Sequence, residues 1–169
     1  MIKAKQYSFL IEETKSLINK DVDDIANMAN LSRLLYERLS HHWIWFYRVI
    51  KDQLILGPFN GPIACTSIAF GKGVCGKSWQ HKKTYVVNDV HQFDGHIACS
   101  PLSNSEIVVP CIRNNHVFAV LDIDSTKLNE FDHEDQYYLE QIVALLWDLP
   151  NTTLTGLKKF CHHPLVSLF

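Results

Sequence analysis

The chain has 169 residues, 47% of them hydrophobic and 20% charged, enough to bury one good core and too few for two full domains. Sixteen basic against eighteen acidic residues leave a formal charge of -2, which excludes the basic footprint of a nucleic-acid binder and an acidic interaction tail. No apolar run approaches the roughly 20 residues that span a bilayer, and MIKAKQYSFLIEETKSL carries acidic residues where a secretory leader keeps its apolar segment; a cytoplasmic protein without nucleic-acid or membrane partners is expected. Residues 8–19 and 22–40 read as helices, the second with Ile25, Met28, Leu31, Leu35 and Leu39 at three- and four-residue spacing. Strands follow: WIWFYRVI (43–50) and QLILGPF (53–59), joined through Lys51-Asp52, then IACTSIAF (63–70). One or two helical turns are expected over 74–80, a short strand at 84–87, and paired strands at 106–112 and 116–124 joined by Arg113, Asn114 and Asn115. Asp132 reads as the N-cap of a last helix, with Glu134 and Asp135 in its first turn and Leu139, Ile142, Val143 and Leu146 as its apolar stripe. Helices, then strands, then a helix predict an α+β fold with helices on one face of an antiparallel sheet. The expected organisation is a single domain over 1–150 and a C-terminal tail over 151–169 that lacks periodicity.

GKGVCGKS (71–78) spells G-x-x-x-x-G-K-[ST], follows an expected strand and precedes an expected helix, and Asp122 at the end of VFAVLD imitates a magnesium-positioning aspartate. A nucleotide-binding enzyme is therefore one reading. The helix, however, ends within about two turns at His81-Lys82-Lys83, too short for its dipole to hold phosphates, and hairpin-linked strands leave no room for the crossovers of a parallel sheet. Gly71, Gly73 and Gly76 also spell G-x-G-x-x-G, and the same short helix weighs against a dinucleotide site. Glycines making a tight strand-to-helix turn account for the string without any ligand.

An odd number of cysteines, five, argues against a permanent disulfide framework and for buried or redox-active thiols. Cys65 is expected on a strand, Cys75 in the glycine turn and Cys99 in the long loop DVHQFDGHIACSPLSNS, a set suited to chemistry in which one thiol attacks and another resolves. Sulfoxide reduction needs a nucleophile at sulfur and an acid at oxygen. The oxygen then stays on the cysteine as a sulfenic acid, a second thiol condenses with it, and an external dithiol resets the pair. Cys99, on a Gly-His loop whose amides can turn inward, is the candidate nucleophile. Glu106, opening a buried strand, is placed to have a raised pKa suited to an acid. Asp122 and Asp124 share one strand face, where two carboxylates are costly unless a cation such as an amino acid's ammonium sits there.

LGPFNGPIAC, GKGVCG, DVHQFDGHIAC, SNSEIVVP and VLDIDS, in this order over roughly residues 20–148, resemble the free methionine-(R)-sulfoxide reductases, enzymes built on a GAF domain. The resemblance implies a GAF-like fold with a central antiparallel sheet of about six strands and flanking N- and C-terminal helices. It also implies reduction of free L-methionine (R)-sulfoxide, no bound cofactor, recycling by thioredoxin and a homodimer. It makes Cys99 the sulfenic-acid-forming nucleophile, Cys65 the first resolving thiol and Cys75 an alternative partner. Glu106, Asp122 and Asp124 match the family's substrate-binding carboxylates, and Trp43 matches the indole against the substrate methyl, with Tyr47 near it. No metal is implied.

Three departures stand out. Ser100-Pro101-Leu102 replaces the Asp-Ala-Ala usual after the nucleophile and restricts the loop, Trp45 fills a position where glycine is common, and Cys161-His162-His163 in the tail has no counterpart. On pattern alone Cys111 reads as an inert core thiol, Cys161 as incidental, and Trp43 as core. A zinc site from His81, His91, His96 and Cys99 fits no structural spacing well; His96 is more simply a residue that shapes or polarises the loop. A non-catalytic GAF module that binds a small molecule is the competing function, and the retained Cys65, Cys75, Cys99 and Glu106 weigh against it.

Overall fold

The computed structural model describes residues 2–146; the tail, with Cys161, lies outside them. Six strands form one antiparallel sheet: β1 Trp43–Ile50, β2 Gln53–Asn60, β3 Ser67–Ala69, β4 Tyr85–Val87, β5 Ser105–Arg113 and β6 His116–Ser125, in the spatial order β3-β2-β1-β6-β5-β4. Four helices complete the fold, α1 Ile2–Leu17, α2 Asp24–Leu39, α3 Gly73–His81 and α4 His133–Ala144. The hairpins form where they were expected: Lys51 takes a left-handed turn between β1 and β2, and Asn114 and Asn115 do so between β5 and β6.

Residue alternation on the central strands builds two cores. Ile44 and Phe46 of β1, Ile107 and Val109 of β5, and Leu121 and Ile123 of β6 face α1, α2 and α4; Leu31, Leu35, Leu139 and Ile142 fill that layer. Cys111 is buried in it, as an inert thiol would be. The other face carries Trp43, Trp45, Tyr47, Val108 and Val120 under α3 and its flanking loops. Helices on one face only is thus corrected: α3 covers the second face. The reason is visible in WIWFY, which has no polar position to turn toward water on either side of the strand.

Local differences have local causes. The first helix begins at Ile2 rather than residue 8 because Lys3 reaches Asp132 and Asp135 at the start of α4, and the Tyr7 hydroxyl donates to Asp135 (2.8 Å). Asp132 and Asp135 themselves form a reciprocal capping box. The strand expected over 63–70 shrinks to Ser67–Ala69. After Asn60 the chain turns out through Gly61, whose φ of 125° suits glycine. A Cβ there would strike the Trp43 ring and the His42 carbonyl. Cys65 therefore sits on a loop, not a strand. Pro110 is tolerated mid-strand because β4 pairs only with residues 106–108 of β5 and stops short of it.

Candidate functional site

The glycine string is a structural turn. Gly71 donates its amide to the Gly76 carbonyl (3.1 Å), and a Cβ at Gly76 would run into the Ala69 carbonyl. Lys77 reaches the Asp94 carbonyl (2.7 Å) and lies over the Phe93 ring, while the buried Ser78 hydroxyl donates to the Lys83 carbonyl. The lysine and serine of the phosphate pattern thus have structural partners, and α3 has only 9 residues beside an antiparallel sheet.

Strand register assembles the carboxyls. Asp122 and Asp124 alternate onto the α3 face of β6; across the ladder Asp124 pairs with Glu106 of β5 and with Trp43 of β1, and Asp122 pairs with Val108 and Trp45. One oxygen from each of Glu106, Asp122 and Asp124 lies within 4.8 Å of the others, and all three residues are buried. Burial pushes the Glu106 and Asp124 carboxyls well above their ordinary range, with the neighbouring Asp122 charge adding to it. Asp122 is raised by burial to about 6, opposed by a hydrogen bond from the Cys75 thiol to its Oδ2 (3.0 Å). Burial therefore disfavours ionisation of all three carboxyls together. That suits one ammonium group better than a hard divalent metal ion, which needs several ionised oxygens.

Over the carboxyls lies a small cavity of about 20 Å³, walled by Trp45, by Val74 and Cys75 of α3, and by His96, Ile97, Cys99 and Ser103 of the long loop. Larger hollows of about 470 and 660 Å³ lie beside β4 and along α4, but no thiol lines either. Cys99 is joined to Cys65 by a disulfide with a Cα–Cα distance of 5.5 Å. Both cysteines are half-buried, so the bond stands at the rim of the cavity. The Tyr47 hydroxyl donates to the Cys65 carbonyl (2.9 Å), tying the Cys65 loop to the sheet. Cys75 is free, and burial followed by the Asp122 charge holds its pKa well above the ordinary thiol range. His96 Nε2 stands 3.7 Å from Glu106 Oε1, near but beyond a hydrogen bond.

The four catalytic candidates and both aspartates thus converge. Trp43 and Tyr47 share the sheet face but do not line the cavity; Trp45 does, with Trp43 edge-on behind it at 5.2 Å. The imagined zinc ligands do not converge: His81 bonds Tyr85, His91 bonds Asn104, and Cys99 is in the disulfide. Ser103, a buried cavity residue three positions before Glu106, is marked in the sequence by no more than its place between a loop and a buried strand. The 3₁₀ turn Val90–Gln92, where Val90 is completely buried, is likewise unmarked.

Comparison with known proteins decides the family. The GAF-domain model matches residues 22–149. The chain is 45% identical over 161 residues to the free methionine-R-sulfoxide reductase of Escherichia coli, covering 95% of this chain and 96% of that one. The chain belongs to the GAF-type free methionine-R-sulfoxide reductase family. It is also 48% identical to GAF domain-containing protein A of Dictyostelium discoideum, over 85% of this chain and 92% of that protein. A solved structure of the Neisseria meningitidis reductase in complex with its substrate superposes with a TM-score of 0.83 at 43% identity, covering 85% of this chain and 87% of that one. The six-stranded sheet and its flanking helices are the GAF fold of this family.

Proposed function

We propose that the protein reduces free L-methionine (R)-sulfoxide to L-methionine by thiol chemistry. The observation that carries this reading is the Cys65–Cys99 disulfide at the rim of a cavity walled by three buried carboxyls. The substrate named for the E. coli and yeast relatives supports it.

In the reduced protein the Cys99 thiolate attacks the sulfoxide sulfur. Glu106, kept neutral by burial, gives a proton to the departing oxygen, which ends on Cys99 as a sulfenic acid while methionine leaves. The Cys65 thiol then attacks the Cys99 sulfur and displaces water, giving the disulfide; an external dithiol takes the oxidising equivalents and restores both thiols. Cys99 is assigned as nucleophile because it lines the cavity whereas Cys65 does not. Cys75 is the alternative resolving thiol, but a thiol held neutral and hydrogen-bonded to Asp122 is a poor attacking group. Asp122 and Asp124 take the substrate ammonium, Trp43 backs the wall near its methyl, and Tyr47 holds the Cys65 loop. Thioredoxin as the dithiol, a homodimer, a cytoplasmic setting and a single domain over 1–150 complete the reading, on the strength of the family.

The test is methionine formation from the free (R) and (S) epimers with dithiothreitol or thioredoxin as reductant, for wild type and Cys99→Ser. Turnover of the (R) epimer alone, abolished in the variant, supports the proposal. No turnover of either by a fully reduced wild type leaves a GAF module that binds without reacting.

A further inference from the structure

Trp45 is completely buried, yet its indole is the one large ring among the residues that line the cavity. Its position is set by the strand: paired in register with Asp122 and on the same face, it stands beside the carboxyl cluster. The Trp43 ring packs edge-on against it at 5.2 Å and the Tyr47 ring tilts against it at 5.9 Å, so the indole is held in place from both sides. Among the described residues the indole N–H has no hydrogen-bond partner, and neither do Glu106 Oε1 and Asp122 Oδ1 in the same cavity. Buried polar atoms left unpaired in one small space mark a site that a polar ligand completes. Ile68 and Val74, which belong to the same apolar cluster as Trp45, also line the cavity.

A ligand that fits this surface bears a cation for the carboxyls and a short apolar end against the ring. We propose that Trp45 sets the range of sulfoxides accepted: its ring closes the space around the sulfur substituent and limits it to methyl. This rests on the reductase reading above. One additional methylene in a tight apolar pocket changes kcat/KM by roughly 10- to 200-fold, so wild type discriminates against the S-ethyl homologue, ethionine (R)-sulfoxide, by at least about tenfold. The ring is a barrier, and a smaller residue removes it.

The experiment measures kcat/KM for the free (R)-sulfoxides of methionine and ethionine in wild type, Trp45→Phe, Trp45→Leu and Trp45→Gly. Each variant is first checked for a native near-ultraviolet spectrum and for formation of the Cys65–Cys99 disulfide. The methyl-over-ethyl ratio is expected to hold in Trp45→Phe and to fall to within about threefold as the cavity widens in Trp45→Leu and Trp45→Gly. Should glycine leave the core too poorly filled to fold, leucine carries the comparison. An unchanged ratio in the folded Leu or Gly variant overturns the role of Trp45 while the reductase reading stands. No turnover of either sulfoxide by wild type overturns the reductase reading and this inference with it.

Discussion

Asp122→Asn is expected to make the protein more stable while impairing it. Asp122 is buried, its Oδ1 has no partner among the described residues, and its carboxyl is raised from 3.8 to about 6. Between about pH 4 and pH 6 it is protonated in the folded chain but ionised in the unfolded one, so the folded state binds more protons and stability falls as pH rises through that window. The rise corresponds to about 3 kcal/mol, fully lost above pH 6. Asparagine keeps the shape and can still accept from the Cys75 thiol, but its buried amide has its own desolvation cost, so a net gain of about 1–2 kcal/mol is expected near neutrality. That translates into a Tm increase of about 2–8 °C. Thermal unfolding of both proteins in the disulfide form, at pH 4, 5, 6 and 7.5, checks it. The curves should cross: asparagine is the less stable near pH 4, where only the cost of its amide remains, and the more stable above about pH 6. Asparagine no more stable than aspartate at pH 7.5 would refute the claim that this carboxyl is held against its own electrostatics for the sake of a ligand.

Cys65→Ser should make about one equivalent of methionine per protein and then stall, whereas Cys75→Ser should turn over repeatedly, because Cys65 is the thiol bonded to Cys99 while Cys75 is free and buried; rapid-quench assays with and without dithiol separate the two. Glu106→Gln should lower kcat by about 10²–10⁴, and the residual rate should no longer show the decline at high pH that follows ionisation of the raised Glu106 carboxyl; a full pH–rate profile of both proteins tests this. The disulfide form should bind methionine far more weakly than the reduced form, since a cavity of about 20 Å³ holds one water and not an amino acid. Titration calorimetry on the two redox forms measures that difference, and equal affinities would mean that the Cys99 loop does not close the site.

Much of this architecture is legible in the sequence because its signals are local. Alternation fixes that Asp122 and Asp124 share a face, and the Asp132 cap with its acidic first turn fixes where α4 begins. Turn chemistry places Lys51 and the Asn114-Asn115 pair between their strands. What escapes depends on contacts between distant residues. Lys3 and Tyr7 extend the first helix through partners more than 120 positions away. The apolar run IACTSIAF reads as strand throughout, yet only its end finds room beside β2, and Cys65 stays in the loop that meets Cys99. Which tryptophan lines the cavity is equally non-local. Trp43 and Trp45 share one face and one composition, and only the covering loops decide that Trp45 meets the open space.

Transfer of the substrate oxygen to Cys99 can be followed with an isotope. Cys65→Ser, reduced and freed of dithiol, is given one equivalent of free methionine (R)-sulfoxide carrying heavy oxygen, and the protein is analysed at once by intact mass and peptide mapping. One heavy oxygen per chain is expected, on Cys99, with methionine formed in equal amount. Methionine formed without label on the protein, or label on a cysteine other than Cys99, would contradict it.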